Sequence, residues 1–221
     1  MNEPWAIVAV LAGGRGSRLG GDKARAVLGG QALITYPLAA ARGAGLEAIV
    51  VAKRSSQLPS LAGRVRYEPE LPEHPLCGVV RALEYACERG AGGAVLLACD
   101  MPLVTPGLLR WLAGLPGAAM VQVEGRPQPA LARVRSAHLP QLREALLSQR
   151  SLTAAIVGLE PRIVEEEALR AFGAPEELCF NVNRPEDLER AALVLARRAR
   201  EAGRERPGIV GAQPRPGGDP A

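Results

Sequence analysis

Short apolar segments alternate with longer segments of helical spacing along most of this chain, and this alternation limits the folds open to it. Apolar runs rich in Val, Ile, Leu and Ala, each consistent with a strand, cover residues 5–11, 46–52, 64–67, 93–99, 118–123 and 129–134. Helical spacing covers residues 32–45, 76–90, 105–115, 136–149 and 185–201. Strands that alternate with helices and are apolar throughout predict an α/β fold, with a mostly parallel sheet and helices on both faces.

The chain is predicted to form one domain followed by a tail. At 221 residues and 48% hydrophobic it can bury one sizeable core. Residues 203–221 have little apolar periodicity and are rich in Pro and Gly, so we expect this tail to be disordered. The folded domain is therefore predicted over residues 1–202.

Composition excludes several classes of protein. No apolar run approaches the roughly 18 residues of a membrane helix, and the first residues, MNEPW, carry an acid where a signal peptide would be basic. We therefore expect a cytoplasmic protein without membrane contact. The sequence pI is about 9.2, but the basic residues are dispersed and aromatic residues make up only 3%, so no nucleic-acid partner is predicted.

The cysteines show no metal-binding pattern. CxxC spacing does not occur, and the surrounding residues are apolar or helical, which predicts small buried side chains rather than a zinc site or a disulfide framework. The residues concerned are Cys77, Cys87, Cys99 and Cys179.

A glycine-rich segment, LAGGRGSRLGGDK at residues 11–23, directly follows the first predicted strand. Ligands of open parallel sheets bind at the carboxyl ends of strands. Glycines let successive backbone N–H groups approach one oxyanion, and Arg15, Arg18 and Lys23 add positive charge. This combination suits a diphosphate or triphosphate, although glycines alone also suit a merely flexible connection.

Neither common phosphate-loop pattern fits this segment. The Walker pattern fails because Lys23 is preceded by Asp22 and followed by Ala24, and the dinucleotide pattern meets Leu19 where its third glycine belongs. The lysine itself is informative: Lys23 and Lys53 are the chain's two lysines. A chain that otherwise uses arginine has placed there a compact ammonium, which binds phosphate as a point charge.

Aspartate is also rare, and one aspartate stands at the end of a predicted strand. Asp100 follows the apolar run AVLLAC and precedes Pro102. Mg²⁺ commonly binds one or two carboxylates together with phosphate oxygens, so Asp100 is a candidate metal ligand. A turn or cap role is the alternative for Asp100, and it is the favoured interpretation of Asp187 at a predicted helix start.

Four segments together resemble the molybdenum cofactor guanylyltransferase family, over about residues 5–195. LAGGRGSRLGGDK resembles the family signature LAGGxSxRMGxDK, and HPLCGVVRALEYA resembles GPLAGIxxAL. LLACDMPLVTP contains a match to CDxPxxxP, and NVNRPEDL resembles NxNTPxDL. The resemblance implies a single Rossmann-like domain of the nucleotide-diphospho-sugar transferase type.

The resemblance also implies Mg²⁺-dependent transfer of GMP from GTP to the terminal phosphate of molybdopterin, with release of pyrophosphate. The implied nucleotide-binding residues are Leu11, Ala12, Gly13, Gly14, Lys23, Lys53, Glu68 and Asp100. Lys23, Arg18 and Asp100 would be catalytic, and Asp100 would hold the metal. Transient contact with proteins that handle the molybdenum cofactor is a further implied partnership.

Base and acceptor recognition depend on positions where this chain departs from the family or lacks a specific motif. Lys53 and Glu68 stand where the family commonly has Asn and Asp. Gly13 favours GTP over CTP, because LAGG goes with guanine and LAAG with cytosine in the larger group. Candidate acceptor residues are Asn181, Asn183 and, with Arg126, Gln128 of the GRPQP segment; a simple turn is the alternative for each of these segments.

Two other functions remain open from the sequence. One is a cytidylyl-, uridylyl- or guanylyltransferase that acts on another phosphorylated acceptor. The other is a non-catalytic protein that binds NADP or another dinucleotide through the basic loop and Lys53. Pyrophosphate release separates transfer from binding.

Overall fold

The computed structural model of the chain describes residues 5–13, 23–60 and 64–204. The strands are β1 Ala6–Leu11, β2 Val27–Leu28, β3 Gln31–Ala32, β4 Ala48–Ala52, β5 Arg64–Tyr67, β6 Gly93–Ala98, β7 Ala119–Val123, β8 Arg126–Arg135 and β9 Arg162–Val164. The helices are α1 Thr35–Gly43, α2 Pro75–Glu88, α3 Pro106–Gly114, α4 Leu139–Leu147, α5 Leu152–Val157, α6 Glu166–Leu169, α7 Pro175–Leu178 and α8 Pro185–Arg204. Every predicted strand and helix is thus confirmed.

One seven-stranded sheet organises the fold, in the order β5-β4-β1-β6-β8-β7-β9. Strand β1 pairs in parallel with β4 and β6, and β4 pairs in parallel with β5. Strand β8 runs antiparallel to both β6 and β7, and β9 is parallel to β7. The predicted mostly parallel sheet is confirmed, with β8 as its antiparallel member.

Helices cover both faces of the sheet because the central strands are apolar on both sides. In β1, Val8 and Val10 belong to one buried cluster with residues of α1 and α3, such as Leu109. Ile7 and Ala9 belong to the opposite cluster, with residues of α2 and α4. Thr105 caps the start of α3, since its hydroxyl accepts a hydrogen bond from the Leu108 N–H.

Cysteine burial follows the prediction at three of the four positions. Cys77, Cys99 and Cys179 are buried, and burial raises the pKa of the Cys179 thiol to about 12. The prediction is wrong for Cys87, which is exposed near the end of α2. Cys87 is on the solvent side of a helix whose opposite face packs on the sheet.

The C-terminal helix ends the described part of the chain. Helix α8 runs to Arg204, two residues into the segment predicted as a tail, and residues 205–221 lie outside the described residues. Across the described ranges, none of the helices is both long enough and apolar enough to cross a membrane.

Gly93→Ala is expected to destabilise the domain by about 2 to 3 kcal/mol. Gly93 starts β6 between β1 and β8, and a Cβ there would lie 2.1 Å from the Val134 carbonyl oxygen, which is backbone that cannot easily move aside. Chemical denaturation measures the loss. Gly114→Ala is the control, because a Cβ at exposed Gly114 meets nothing within 4 Å; equal stability of the two variants would contradict the prediction.

Candidate active site

A cavity of about 670 Å³ opens at the carboxyl ends of the central strands. Strand β1 lies between β4 and β6, and the chain passes from β5 back across β1 to reach β6. Strand order therefore reverses here, which is the place where open α/β sheets bind ligands. Leu11 and Ala98, which end β1 and β6, are paired in register and both line the cavity.

Lys23 and Asp100 meet at this cavity, although they are far apart in sequence. The Lys23 Nζ donates to the Asp100 Oδ2 at 2.7 Å and to the Asn183 Oδ1 at 2.6 Å. Only 22% of the Lys23 side chain and 11% of the Asp100 side chain are exposed, so solvent weakens this ion pair less than a surface pair. The structure thus brings together the two residues that the sequence singled out.

The NVNRPEDL segment is fixed beside Asp100 by hydrogen bonds. The Val182 N–H donates to the Asp100 carbonyl at 2.9 Å. Asp187 Oδ2 accepts from the N–H groups of Asn183 and Arg184, each at 2.8 Å, at the start of α8. The helix-start role favoured for Asp187 is therefore confirmed, and this cap holds Asn183 in place to contact Lys23.

Asn181 and Asn183 differ in their surroundings. The Asn181 Nδ2 donates to the Cys179 carbonyl at 3.0 Å, so Asn181 shapes the turn before α8. The Asn183 Nδ2 donates to the Asn181 carbonyl at 3.4 Å within the same turn, while the Asn183 Oδ1 accepts from the Lys23 ammonium. Contact of either side chain with an acceptor stays a prediction.

Glu68 is a buried carboxylate that closes one wall of the cavity. It follows β5, its N–H donates to the Ala52 carbonyl at 3.0 Å, and only 8% of the residue is exposed. A Cβ added at Gly13 would lie 1.9 Å from Glu68 Oε1, and one added at Gly78 would lie 2.9 Å from Glu68 Oε2. The carboxylate occupies its position because both neighbours lack side chains.

The charge of Glu68 is set by burial and by its neighbours. The pKa of the Glu68 carboxyl is raised overall, and burial is the largest cause. The negative charge of Glu70 also raises this pKa, whereas the nearby Lys53 ammonium lowers it. Lys53 Nζ donates to the Glu70 carbonyl at 2.7 Å, and Ser55 donates its N–H and hydroxyl to the Glu70 carboxylate at 3.0 and 2.6 Å. The hydrogen bonds from Ser55 lower the pKa of Glu70.

The first turn of α2 forms another part of the cavity wall. His74 Nδ1 accepts from the Leu76 N–H at 3.2 Å and caps the helix, with Pro75 in its first turn. In the segment HPLCGVVRALEYA, which resembles GPLAGIxxAL, His74 stands at the position of the first glycine.

Six of the predicted site residues line the cavity. The predicted residues that line the cavity are Leu11, Gly13, Lys23, Lys53, Glu68 and Asp100. Ala12 is buried in the core cluster that also contains Val8 and Val10, and it is not among the described residues that line the cavity. Gly14, Arg15 and Arg18 lie outside the described residues, so their roles stay predictions.

The GRPQP segment forms a β-hairpin and the beginning of β8. Glu124 and Gly125 have φ angles of 51° and 69° and connect β7 to β8, as the turn alternative predicted. Arg126 and Gln128 are on β8, and neither is among the described residues that line the cavity. Their contact with the acceptor stays a prediction.

Several cavity residues were not predicted from the sequence. Ser55, Glu70 and Glu73 line the cavity with His74. A signal for them was available, since they follow the predicted strands at 46–52 and 64–67 and so lie at the same carboxyl edge as Asp100.

The oxygen atoms around Lys23 fit a divalent cation. Asp100 and Asn183 already hold one cation, the ammonium, between a carboxylate and an amide oxygen. Within residues 5–13, 23–60 and 64–204 no group of three His, Cys, Asp or Glu could form a complete protein cage. A single carboxylate is sufficient for Mg²⁺ when phosphate oxygens and water complete its coordination.

Comparison with known proteins places this architecture in a family. The sequence model of the family described as the MobA-like NTP transferase domain matches residues 8–162 of this chain. The molybdenum cofactor guanylyltransferase of Cereibacter sphaeroides is 35% identical over 196 residues, covering 86% of this chain and 97% of that protein. The probable molybdenum cofactor guanylyltransferase of Opitutus terrae is 31% identical, with 82% and 92% covered.

A solved structure agrees with these sequence matches. Molybdopterin-guanine dinucleotide biosynthesis protein A from Archaeoglobus fulgidus superimposes with a TM-score of 0.71 at 27% identity, covering 86% of this chain and 98% of that chain. A nucleotidyl transferase from Methanothermobacter, at 22% identity and a TM-score of 0.67, shares the fold.

Proposed function

The chain belongs to the MobA-like NTP transferase family, and from this premise we propose that it transfers GMP from GTP to the terminal phosphate of molybdopterin. It is a nucleotidyltransferase, as its relatives are. The observation that most supports the proposed site is the contact of Lys23 with Asp100 at the reversal of strand order. Molybdopterin and GTP would be the substrates, in the cytoplasm, and the product would pass to proteins that handle the molybdenum cofactor.

The reaction needs alignment and charge neutralisation more than proton transfer. An oxygen of the acceptor phosphate, already ionised at neutral pH, forms a bond to the α-phosphorus of GTP. The bond from that phosphorus to the bridging oxygen of the β-phosphate breaks, and pyrophosphate leaves with the electron pair. No general base is required, so fixed positive charge and in-line placement supply the catalysis.

The predicted site residues divide into those proposed to contact the nucleotide, the metal and the acceptor. Leu11, Ala12, Gly13 and Gly14 would line the nucleotide, while Lys23 and Arg18 would bind its phosphates. Asp100 would hold Mg²⁺, which when bound neutralises negative charge on the phosphates. Asn181, Asn183 and Gln128 are the residues proposed to meet the acceptor.

Glu68 and Lys53 are proposed to recognise the base. Guanine presents adjacent N1–H and N2–H donors and an O6 acceptor. A buried carboxylate can accept from the two donors, and the Lys53 ammonium beside it can donate to O6. Burial strengthens this discrimination, because a base that offers no donors leaves the buried Glu68 carboxylate without hydrogen bonds from the ligand.

Mg·GTP is expected to raise the melting temperature by about 5 °C or more at about 100-fold excess over its Kd, and Mg·CTP much less. The reason is the donor pair of guanine, which cytosine lacks in that arrangement. Differential scanning fluorimetry at constant Mg²⁺ measures both shifts, with Mg²⁺ alone as the reference. Equal shifts would remove the guanine assignment.

Pyrophosphate release tests the transfer itself. With Mg·GTP and molybdopterin the protein should release one pyrophosphate for each GMP transferred, and omission of molybdopterin should abolish release. Scanning GTP, CTP, UTP and ATP against the same acceptor identifies the donor. Release with GTP and a different phosphorylated acceptor, but not with molybdopterin, would favour the alternative transferase.

A further inference from the structure

We propose that the Lys23 ammonium is the resident cation of the Asp100 site and excludes a divalent metal from it until the phosphates of the nucleotide draw the ammonium away. The proposal rests on the proposed function for the identity of the nucleotide. It adds that metal and nucleotide bind with positive coupling, enforced by one side chain of this chain.

The ammonium occupies a position that a metal ion would need. Lys23 Nζ lies 2.7 Å from Asp100 Oδ2 and 2.6 Å from Asn183 Oδ1. Both oxygens belong to the kind of donor that Mg²⁺ prefers. A divalent ion at Asp100 would therefore face the positive charge of Lys23 at very short range unless Lys23 moved.

The oxygens are held more firmly than the ammonium. Asp100 is fixed through its carbonyl, which accepts from the Val182 N–H, and Asn183 is fixed through its N–H, which donates to Asp187. Lys23 reaches them on a flexible four-carbon side chain. Lys23 is thus the partner that moves when a stronger anion arrives.

A nucleotide triphosphate is such an anion, because it carries several negative charges against the single charge of Asp100. When Lys23 turns to the phosphates, Asp100 is left with an uncompensated charge in a largely buried position, and its affinity for a divalent ion rises. By linkage, the metal must then raise the affinity for the nucleotide by the same factor.

The test measures the affinity of the full-length protein for Mn²⁺ in the absence of nucleotide. The electron paramagnetic resonance signal of free Mn²⁺ reports how much of the metal is bound. Lys23→Met is expected to bind Mn²⁺ about tenfold or more tightly than the wild type, because it removes the competing cation. Lys23→Arg keeps a cation and should remain within about threefold of the wild type. Adding Asp100→Asn to Lys23→Met should abolish the gain.

Lys53→Met is the matched control. Lys53 lines the same cavity, but its ammonium donates to the Glu70 carbonyl rather than to Asp100. If the effect of Lys23 is local, removal of the Lys53 ammonium should change Mn²⁺ affinity by less than about threefold. An equal gain in both Lys→Met variants would overturn the proposal, as would wild-type binding as tight as that of Lys23→Met.

Folding and function are checked separately. Melting curves establish that each variant is folded, and Lys23→Gln carries the same expectation if Lys23→Met does not fold. Pyrophosphate release by the wild type reports on the proposed function independently of Mn²⁺ binding. If the wild type releases pyrophosphate but Lys23→Met shows no gain in Mn²⁺ affinity, the resident-cation proposal alone is overturned. If Lys23→Met gains Mn²⁺ affinity but the wild type releases no pyrophosphate, the resident-cation proposal stands and the result counts against GMP transfer.

Discussion

Asp100→Asn is expected to lower the turnover of GMP transfer by about a hundredfold or more while the fold stays intact. The change removes the carboxylate that would hold Mg²⁺ but keeps the shape of the side chain and the backbone hydrogen bond from Val182. Turnover is measured as pyrophosphate release at saturating Mg·GTP, and the fold by melting temperature.

Glu144→Gln is the control for this prediction, because it removes one negative charge from an exposed position on α4. Its turnover should match that of the wild type. Near-normal turnover of Asp100→Asn would show that the metal is held by another residue, whereas a collapse of the melting temperature would mark Asp100 as structural.

Gly13→Ala is expected to weaken GTP binding by about tenfold to a hundredfold, through Glu68. The added Cβ would lie 1.9 Å from Glu68 Oε1, so the carboxylate must leave the position from which it is proposed to accept the guanine donors. The loss should be specific to guanine, and binding of CTP should change much less. Isothermal titration calorimetry with both nucleotides measures the difference.

A double-mutant cycle distinguishes this indirect effect from crowding of the nucleotide by the new methyl group. Glu68→Ala should weaken GTP binding to a similar extent, and Gly13→Ala should then add little in the Glu68→Ala background. Additive losses would mean that the methyl acts directly on the nucleotide. Gly114→Ala, remote from the cavity and in open space, should bind GTP as the wild type does.

The fold was predictable where burial dictates sequence. The strands of the sheet that are buried on both faces read as continuous apolar runs, and β1 and β6 were found on that basis. The direction of β8 was not predictable in this way, because apolar character does not encode strand direction. A two-residue turn at Glu124 and Gly125 sets it, and Glu-Gly is a weaker signal for such a turn than Asn-Gly.

The short elements were missed for a related reason. Strands β2 and β3 have two residues each, and β9 has three, too few for a periodic pattern to emerge from the sequence. Helices α6 and α7 have four residues each. Their conformations depend on packing against the rest of the domain rather than on their own composition.

Rarity of residue type identified the core of the site, but not its contacts. Lys23 and Asp100 stood out because lysine and aspartate are scarce in this chain. The contact between Lys23 and Asn183 spans 160 positions, and no local pattern reports on such a distance. The neighbourhood of Glu68, Gly13 and Gly78 likewise arises from the close approach of β1, β5 and α2, and only the folded chain brings it together.

The scarcity of lysine has a practical consequence for spectroscopy. Lys23 and Lys53 are the chain's two lysines, and both line the cavity. Isotopic labelling of lysine alone therefore gives a nuclear magnetic resonance spectrum in which every lysine side-chain signal comes from the candidate active site. One such signal would follow the ammonium beside Asp100, and the other would follow the ammonium beside Glu68, as nucleotide and metal are added in either order.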